Sequence, residues 1–360
     1  MLVLSVALAG CGGEKPKAED AKKEPAANEK LKVAFIYVGP VGDGGWSFAH
    51  DQGRQYLQQQ MPDVETSFIE SVPEGADSER VLTELAEKGN KVIFATSFGY
   101  MDPIIKVAQK YPDVKFIHCS GYKTADNVST YFGRMYQARY LTGIIAGKTT
   151  KSNTIGYVAA FPIPEVIRGI NAFTQGVRSV NPDAKVKVVW TNTWYDPAAE
   201  KEAGKSLLEA GADVVTQHQD TPGPQQAAEE KGKFGIGYNS DMSKMAPKAV
   251  LTSAVWNWGP YYVNTVKAIK EGTWKSDQYW GPMSDKIVDL APYGPMVSEE
   301  VKTLTEAKKQ EILDGKFDVF TGPIKDQTGK ERVAAGQKMT DAEMLSFDWF
   351  VEGVEGTIPK

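Results

Sequence analysis

Aromatic rings interleaved with hydrogen-bonding side chains recur at a set of loop positions in this sequence. They begin with Asp43 and Trp46, continue through Phe98, Gly99 and Tyr100, then Phe161 and Trp194. Asp220, Asn239, Asp241, Trp256 and Trp258 complete the set. Flat aromatic faces with a few aimed polar groups suit a planar, polar heterocycle. Four of the eight tryptophans, Trp46, Trp194, Trp256 and Trp258, stand among these positions, whereas Trp190 in KVVWTNT lies mid-strand. An ionised carboxylate only accepts hydrogen bonds, so Asp220 or Asp241 would suit an exocyclic amine or a ring N–H. Each residue also has an ordinary role open to it. Trp46 can pack its loop onto a sheet, Asp220 can cap the helix that follows at PGPQQAAEE, and Asp241 can be a loop carboxylate. Asp196, directly before Pro197, is expected to cap a helix rather than meet a ligand.

Covalent chemistry finds little support. None of the three histidines, His50, His118 and His218, falls in HExxH or another tight metal spacing. His118, inside VKFIHC, is expected in the core. There is no Gly-x-Ser-x-Gly elbow and no P-loop. Gly42-Asp43-Gly44 opens like a dinucleotide fingerprint, but Ser47 stands where the third glycine belongs and Trp46 would crowd a pyrophosphate. No Asp-x-Asp run near the first strand supports a calcium-dependent nucleoside hydrolase. The expectation is reversible binding without catalysis, cofactor or metal.

The elements that must position these residues alternate along the chain. KVAFIYV reads as a strand that stops at glycines and restarts as a helix from Phe48 to Gln60. Strand–helix alternation continues to about Thr150. It begins again after the polar break Lys151–Asn153. Strands separated by single helices imply parallel sheets covered on both faces. Two such runs imply two similar α/β lobes with a cleft between them, and ligands of such sheets bind beyond the strands' carboxyl ends. The tail carries a VFTGPI strand and an amphipathic helix near Asp341–Glu352.

At 360 residues the chain exceeds one typical domain. Its net charge of −5, without a dense basic patch, argues against nucleic-acid binding. Two cysteines build no disulfide framework, and Cys119 is expected to be a buried small hydrophobe. The other, Cys11, closes Leu8-Ala9-Gly10-Cys11 behind the apolar run MLVLSVA. This is a signal-type segment too short to span a bilayer. It resembles a bacterial lipobox, in which the cysteine is lipidated. Residues 12–30 are rich in Lys, Glu, Ala and Pro and read as a flexible tether.

Several motifs jointly resemble the basic membrane protein family of bacterial lipoproteins, from about Leu31 onward. They are GDGGWSFAHDQGR, TSFGYMDP, YQARYLTGIIAG, TNTWYDPAAEKEAG, GYNSDM and LTSAVWNWGPYY. The resemblance implies an α/β type I periplasmic-binding fold of two Rossmann-like lobes with parallel sheets, joined by a hinge. It implies an extracytoplasmic, membrane-anchored receptor that hands its ligand to an ABC permease and ATPase; a monomer is the default expectation. Lobe 1 would take residues 31–150 and about 254–283, and lobe 2 residues 151–253 and about 284–360. The crossings would lie near Gly147–Asn153, Thr252–Ala254 and Gly281–Asp289. Nucleoside-binding members carry Asp-x-x-Phe in the first loop, where Asp43-Gly44-Gly45-Trp46 places Trp46 as the stacking residue. Trp194 matches a second aromatic. The aspartate and lysine that hold ribose are replaced by Asn239 and Trp256. That implies a free purine base, adenine first and then hypoxanthine or guanine. A nucleoside receptor or a sensory protein of the same fold remains the alternative.

Overall fold

The computed structural model describes residues 30–359, so Cys11 and the tether before Lys30 lie outside the described residues. The first half runs β1 (Leu31–Ile36), α1 (Trp46–Gln60), β2 (Val64–Ile69), α2 (Ala76–Glu87), β3 (Val92–Ala95), α3 (Met101–Lys110), β4 (Lys115–Cys119), β5 (Val128–Gly133) and α4 (Met135–Thr149). A 3-10 turn, Phe98–Tyr100, precedes α3. Next come β6 (Thr154–Ala159), α5 (Pro164–Val180), β7 (Lys185–Trp190), α6 (Pro197–Glu209), β8 (Val214–Gln217), α7 (Gly223–Glu230), β9 (Phe234–Asn239) and β10 (Val250–Trp256). The remainder is α8 (Gly259–Lys270), β11 (Gln278–Gly281), β12 (Val288–Leu290), α9 (Glu299–Leu313), β13 (Ile324–Lys325), β14 (Glu331–Val333), α10 (Asp341–Leu345) and β15 (Val354–Glu355).

Two sheets result. The first is six-stranded and parallel throughout, in the order β11-β5-β4-β3-β1-β2. The second has seven strands, β12-β10-β9-β8-β6-β7-β15, of which only β12 runs antiparallel to its neighbour. Strand β1 shows why its sequence reads as an unbroken apolar run. Val33, Phe35 and Tyr37 face one buried cluster, while Ala34 and Ile36 face another. A parallel strand covered on both faces has no polar side to show. His118 and Cys119 are buried on β4, as their surroundings suggested.

The sheets place two of the three crossings differently from the sequence reading. Strand β10 stays in the second sheet through Trp256, and α8 then packs against α1 of the first. Helix α4, read with the first lobe, packs against α5, α9 and β10. Glycines make that contact. A Cβ at Gly143 would stand 2.1 Å from the Phe173 carbonyl oxygen, and one at Gly176 would stand 2.0 Å from that of Tyr140. The chain therefore leaves the first sheet between Gly133 and Met135. It returns between Trp256 and Gly259, and leaves again after Gly281. Gly176→Ala should cost about 1–3 kcal/mol by overpacking this helix pair, read as a shift in the chemical-denaturation midpoint.

The tail also differs. Pro323 has no N–H to give a ladder, and the strand begins only at Ile324. A Thr340–Glu343 capping box starts α10, but the helix stops at Leu345. Beyond it, α5 side chains take the backbone groups that a longer helix would use. Arg168 donates to the Met344 carbonyl, while Asn171 donates to the Trp349 carbonyl and accepts from Val351 N–H.

Candidate functional site

The loop after β1 is built around Asp43. Its carboxylate accepts the N–H groups of Gly45, Ser47 and Phe48 at 2.7, 2.8 and 3.0 Å, which starts α1 at Trp46 rather than at Phe48. Gly45 then meets the second lobe. A Cβ there would lie 1.9 Å from the carbonyl oxygen of Asp220, so only glycine fits. The Ser240 hydroxyl donates to the Gly44 carbonyl beside it. The two lobes thus touch, and they enclose a cavity of about 540 Å³.

Trp46 lines this cavity and is held on several sides. Its indole Nε1 donates to the Thr96 carbonyl at 2.6 Å. The rings of His50, Trp256 and Trp258 stand edge-to-face with it, at centroid distances of 4.4, 5.9 and 5.8 Å. Across the lobes, Trp194 lines the same cavity and packs against Phe161 at 4.8 Å. Phe98, Asp220 and Asn239 are also in the lining.

The other expected site residues lie elsewhere. Asp43 is occupied as a helix cap, and Phe161 backs Trp194 without lining the cavity. Gly99 donates its N–H to Glu74, and the Tyr100 hydroxyl donates to the Val72 carbonyl within the core. Asp241 is exposed and accepts the Ser243 N–H in a local turn. Asp196 caps α6, accepting from Ala198 and Ala199.

Trp256 acts one layer back. It stacks on Trp258 at 4.4 Å, and its Nε1 donates to Asn239 Oδ1 at 2.9 Å. An indole N–H can only donate, so this bond fixes the Asn239 amide, whose Nδ2 then donates to Asp220 Oδ1 at 3.2 Å. Asp220 does not cap α7. Its second oxygen, Oδ2, is buried without a partner. Burial pushes the Asp220 carboxyl well above the usual carboxylate range, and the charges of Asp43 and Glu200 push it further. Glu200, held by Asp196 N–H and by the N–H and hydroxyl of Thr221, is itself raised to about 7, chiefly by burial.

Two further features had little sequence signal. His218 and Glu165 line the cavity and meet at 2.6 Å, Nε2 to Oε2. They sit beyond the ends of the neighbouring strands β8 and β6, which was the only cue. The second feature is α10, whose Asp341, Ala342 and Leu345 form a wall of the cavity. Arg134, at the end of β5, reaches Asp341 through two bonds of 2.8 and 2.7 Å while lying 4.2 Å over Trp280. The tail carrying Asp341 is fixed to the second sheet through β15, so this pair ties the lobes together. Asp341→Asn should speed ligand dissociation about 3- to 5-fold, read by stopped-flow fluorescence, since a partly exposed ion pair contributes roughly 1 kcal/mol.

Two α/β lobes closed on an aromatic, acid-bearing cavity define a solute-binding protein. Solved structures share the fold. A solute-binding protein of an ABC transporter system from Aeropyrum pernix K1 matches with a TM-score of 0.71 at 21% identity, covering 84% of this chain and 94% of that one. A transcriptional activator of the comK gene from Bacillus halodurans matches at 0.69 and 24% identity, covering 79% and 99%. The chain belongs to the Bmp family, ABC transporter substrate-binding proteins of PnrA-like type, whose sequence model matches residues 30–319. A purine-binding protein of Brucella abortus (strain 2308) is 49% identical over 335 residues, 93% of this chain and 95% of that protein. A Haloferax volcanii ABC transporter protein named for glucose binding, TsgA13, is 43% identical over 335 residues, 93% of this chain and 83% of its own length. Substrate-binding proteins of this kind act outside the cytoplasm, where they bind a small molecule for a membrane permease and ATPase. No helix among the described residues is long and apolar enough to cross a membrane.

Proposed function

We propose that this protein captures a free purine base, adenine first and hypoxanthine or guanine next, for an ABC importer. One observation carries the reading. Asp220 presents a buried, unpartnered oxygen in a cavity that also carries the indoles of Trp46 and Trp194. The base stacks on Trp46, with Trp194 as the second ring and Phe98 at the cavity's flank. Asp220 accepts a ligand N–H while Asn239 and Trp256 hold it in place. Asn239 and Trp256 stand where nucleoside-binding members carry the aspartate and lysine that hold ribose, which favours a base over a nucleoside. The similarity to a purine-binding relative supports the same class.

A sugar ligand is the second reading, favoured by the similarity to TsgA13. A hexose needs polar partners around its whole rim. Many of the polar side chains in this lining are already bonded to protein groups, Ser97 to Glu74, Arg168 to Met344, Gln278 to Tyr122 and Asp341 to Arg134, and rings cover much of the rest. Binding proceeds by closure of the lobes about the three crossings, and no bond is made or broken. Lipidation of Cys11 anchors a monomeric protein at the outer face of the membrane. Mass spectrometry of the small molecules released when the purified protein is denatured tests the ligand class. A purine base is the expected release, and a hexose alone would overturn the reading.

A further inference from the structure

The cavity contains a second unpartnered acceptor besides Asp220. His218 is 7% exposed, and its Nδ1 is buried with no hydrogen-bond partner. Its other nitrogen, Nε2, lies 2.6 Å from Glu165 Oε2. Glu165 stands in the first turn of α5, where a helix N-terminus favours an ionised carboxylate. Burial opposes that charge, while the guanidinium groups of Arg168 and Arg139 favour it. An ionised carboxylate only accepts, so Nε2 carries a proton; no protein acceptor meets Nδ1, and with the ring's single proton on Nε2 that nitrogen keeps its lone pair. The imidazole is also enclosed, with Trp194 at 5.9 Å and Tyr238 at 5.1 Å between ring centroids. Turning the ring over would break the Glu165 bond.

We propose that His218 Nδ1, fixed as an acceptor by Glu165, takes an amino N–H of the ligand and so selects amino-purines over oxo-purines. The inference rests on the purine-base reading above. A donor on the ligand satisfies Nδ1, whereas a carbonyl there would set two acceptors against each other and leave both unpaired in a buried site. Glu165 is then a positioning residue that sets the tautomer through its bond to Nε2.

Titration calorimetry with adenine and hypoxanthine, on the wild type, His218→Leu and Glu165→Gln, tests this. The wild type should prefer adenine by at least about 10-fold, a difference of roughly 1.4 kcal/mol. His218→Leu should weaken adenine about 10- to 100-fold and hypoxanthine less than about 3-fold. Glu165→Gln can donate to Nε2 and let the proton sit on Nδ1, so the preference should fall toward parity or invert. Thermal melting of each variant reports that the fold is kept. Equal weakening of both bases, or an unchanged ratio in both variants, would overturn the role of His218 alone. A wild type that binds neither base would overturn the purine reading beneath it as well.

Discussion

Asp220→Ala should weaken adenine binding by roughly two orders of magnitude, because hydrogen bonds to a charged group contribute about 1.5–3 kcal/mol each. The effect should be larger than removal of any other cavity-lining polar group. Asn239 and Trp256 exist in this arrangement to aim Asp220, and without it Asn239 Nδ2 loses its acceptor. The pH dependence follows from the same residue. Burial, then Asp43 and Glu200, hold the empty site's carboxyl protonated above the pH at which a free aspartate ionises. A ligand N–H favours the ionised form, so binding releases a proton and affinity rises with pH until the empty site itself ionises. The ligand-free fold behaves oppositely. Its Asp220 is raised, so stability is lost as pH climbs from the ordinary aspartate range toward the folded value. Calorimetry in buffers of different ionisation enthalpy reads the released proton directly. Adenine binding without proton release would show instead that Asp220 stays protonated and donates to a ring nitrogen.

Trp46→Ala should weaken the same ligand about 10- to 100-fold, since base–aromatic stacking is worth about 1–3 kcal/mol per base. Trp46→Phe should recover most of that loss, because a ring face is kept. Trp256→Phe is the informative contrast. It removes the Nε1 bond to Asn239 while leaving an aromatic packed on Trp258. Its cost should therefore fall on hydrogen-bonding selectivity, measured as the adenine-to-purine affinity ratio, rather than on stacking.

The two-lobed α/β architecture was legible because parallel strands covered on both faces read as short apolar runs between helices. The ends of those runs were legible too, and they located Trp46, Phe98, Trp194, Asp220 and Asn239. What lay between side chains was not. Asp43 looks like a ligand contact in the sequence because Asp-Gly-Gly-Trp marks a loop, yet its oxygens are consumed by the N–H groups that open α1. Trp256 looks like a ring for the ligand, and only the position of its Nε1 shows that it orients Asn239. Glu165 and His218 lie 53 residues apart and meet because β6 and β8 are neighbours in the sheet.

Helix α4 was read with the first lobe for a different reason. Twelve of its residues are buried, on every face, so no apolar stripe points to a partner. Its partner is chosen by Gly143 and Gly176, whose missing side chains let two backbones approach. The role of α10 was hidden because its wall comes from a tail beyond residue 319, where the family's sequence model ends.

The central claim is that the cavity holds a base without its sugar. Calorimetric titration of the wild type with adenine, adenosine and glucose tests it most directly. Adenine should bind tightly, adenosine at least about 100-fold more weakly, a gap of roughly 2.8 kcal/mol, and glucose without measurable heat. Adenosine binding as tightly as adenine, or glucose binding in place of both, would contradict it.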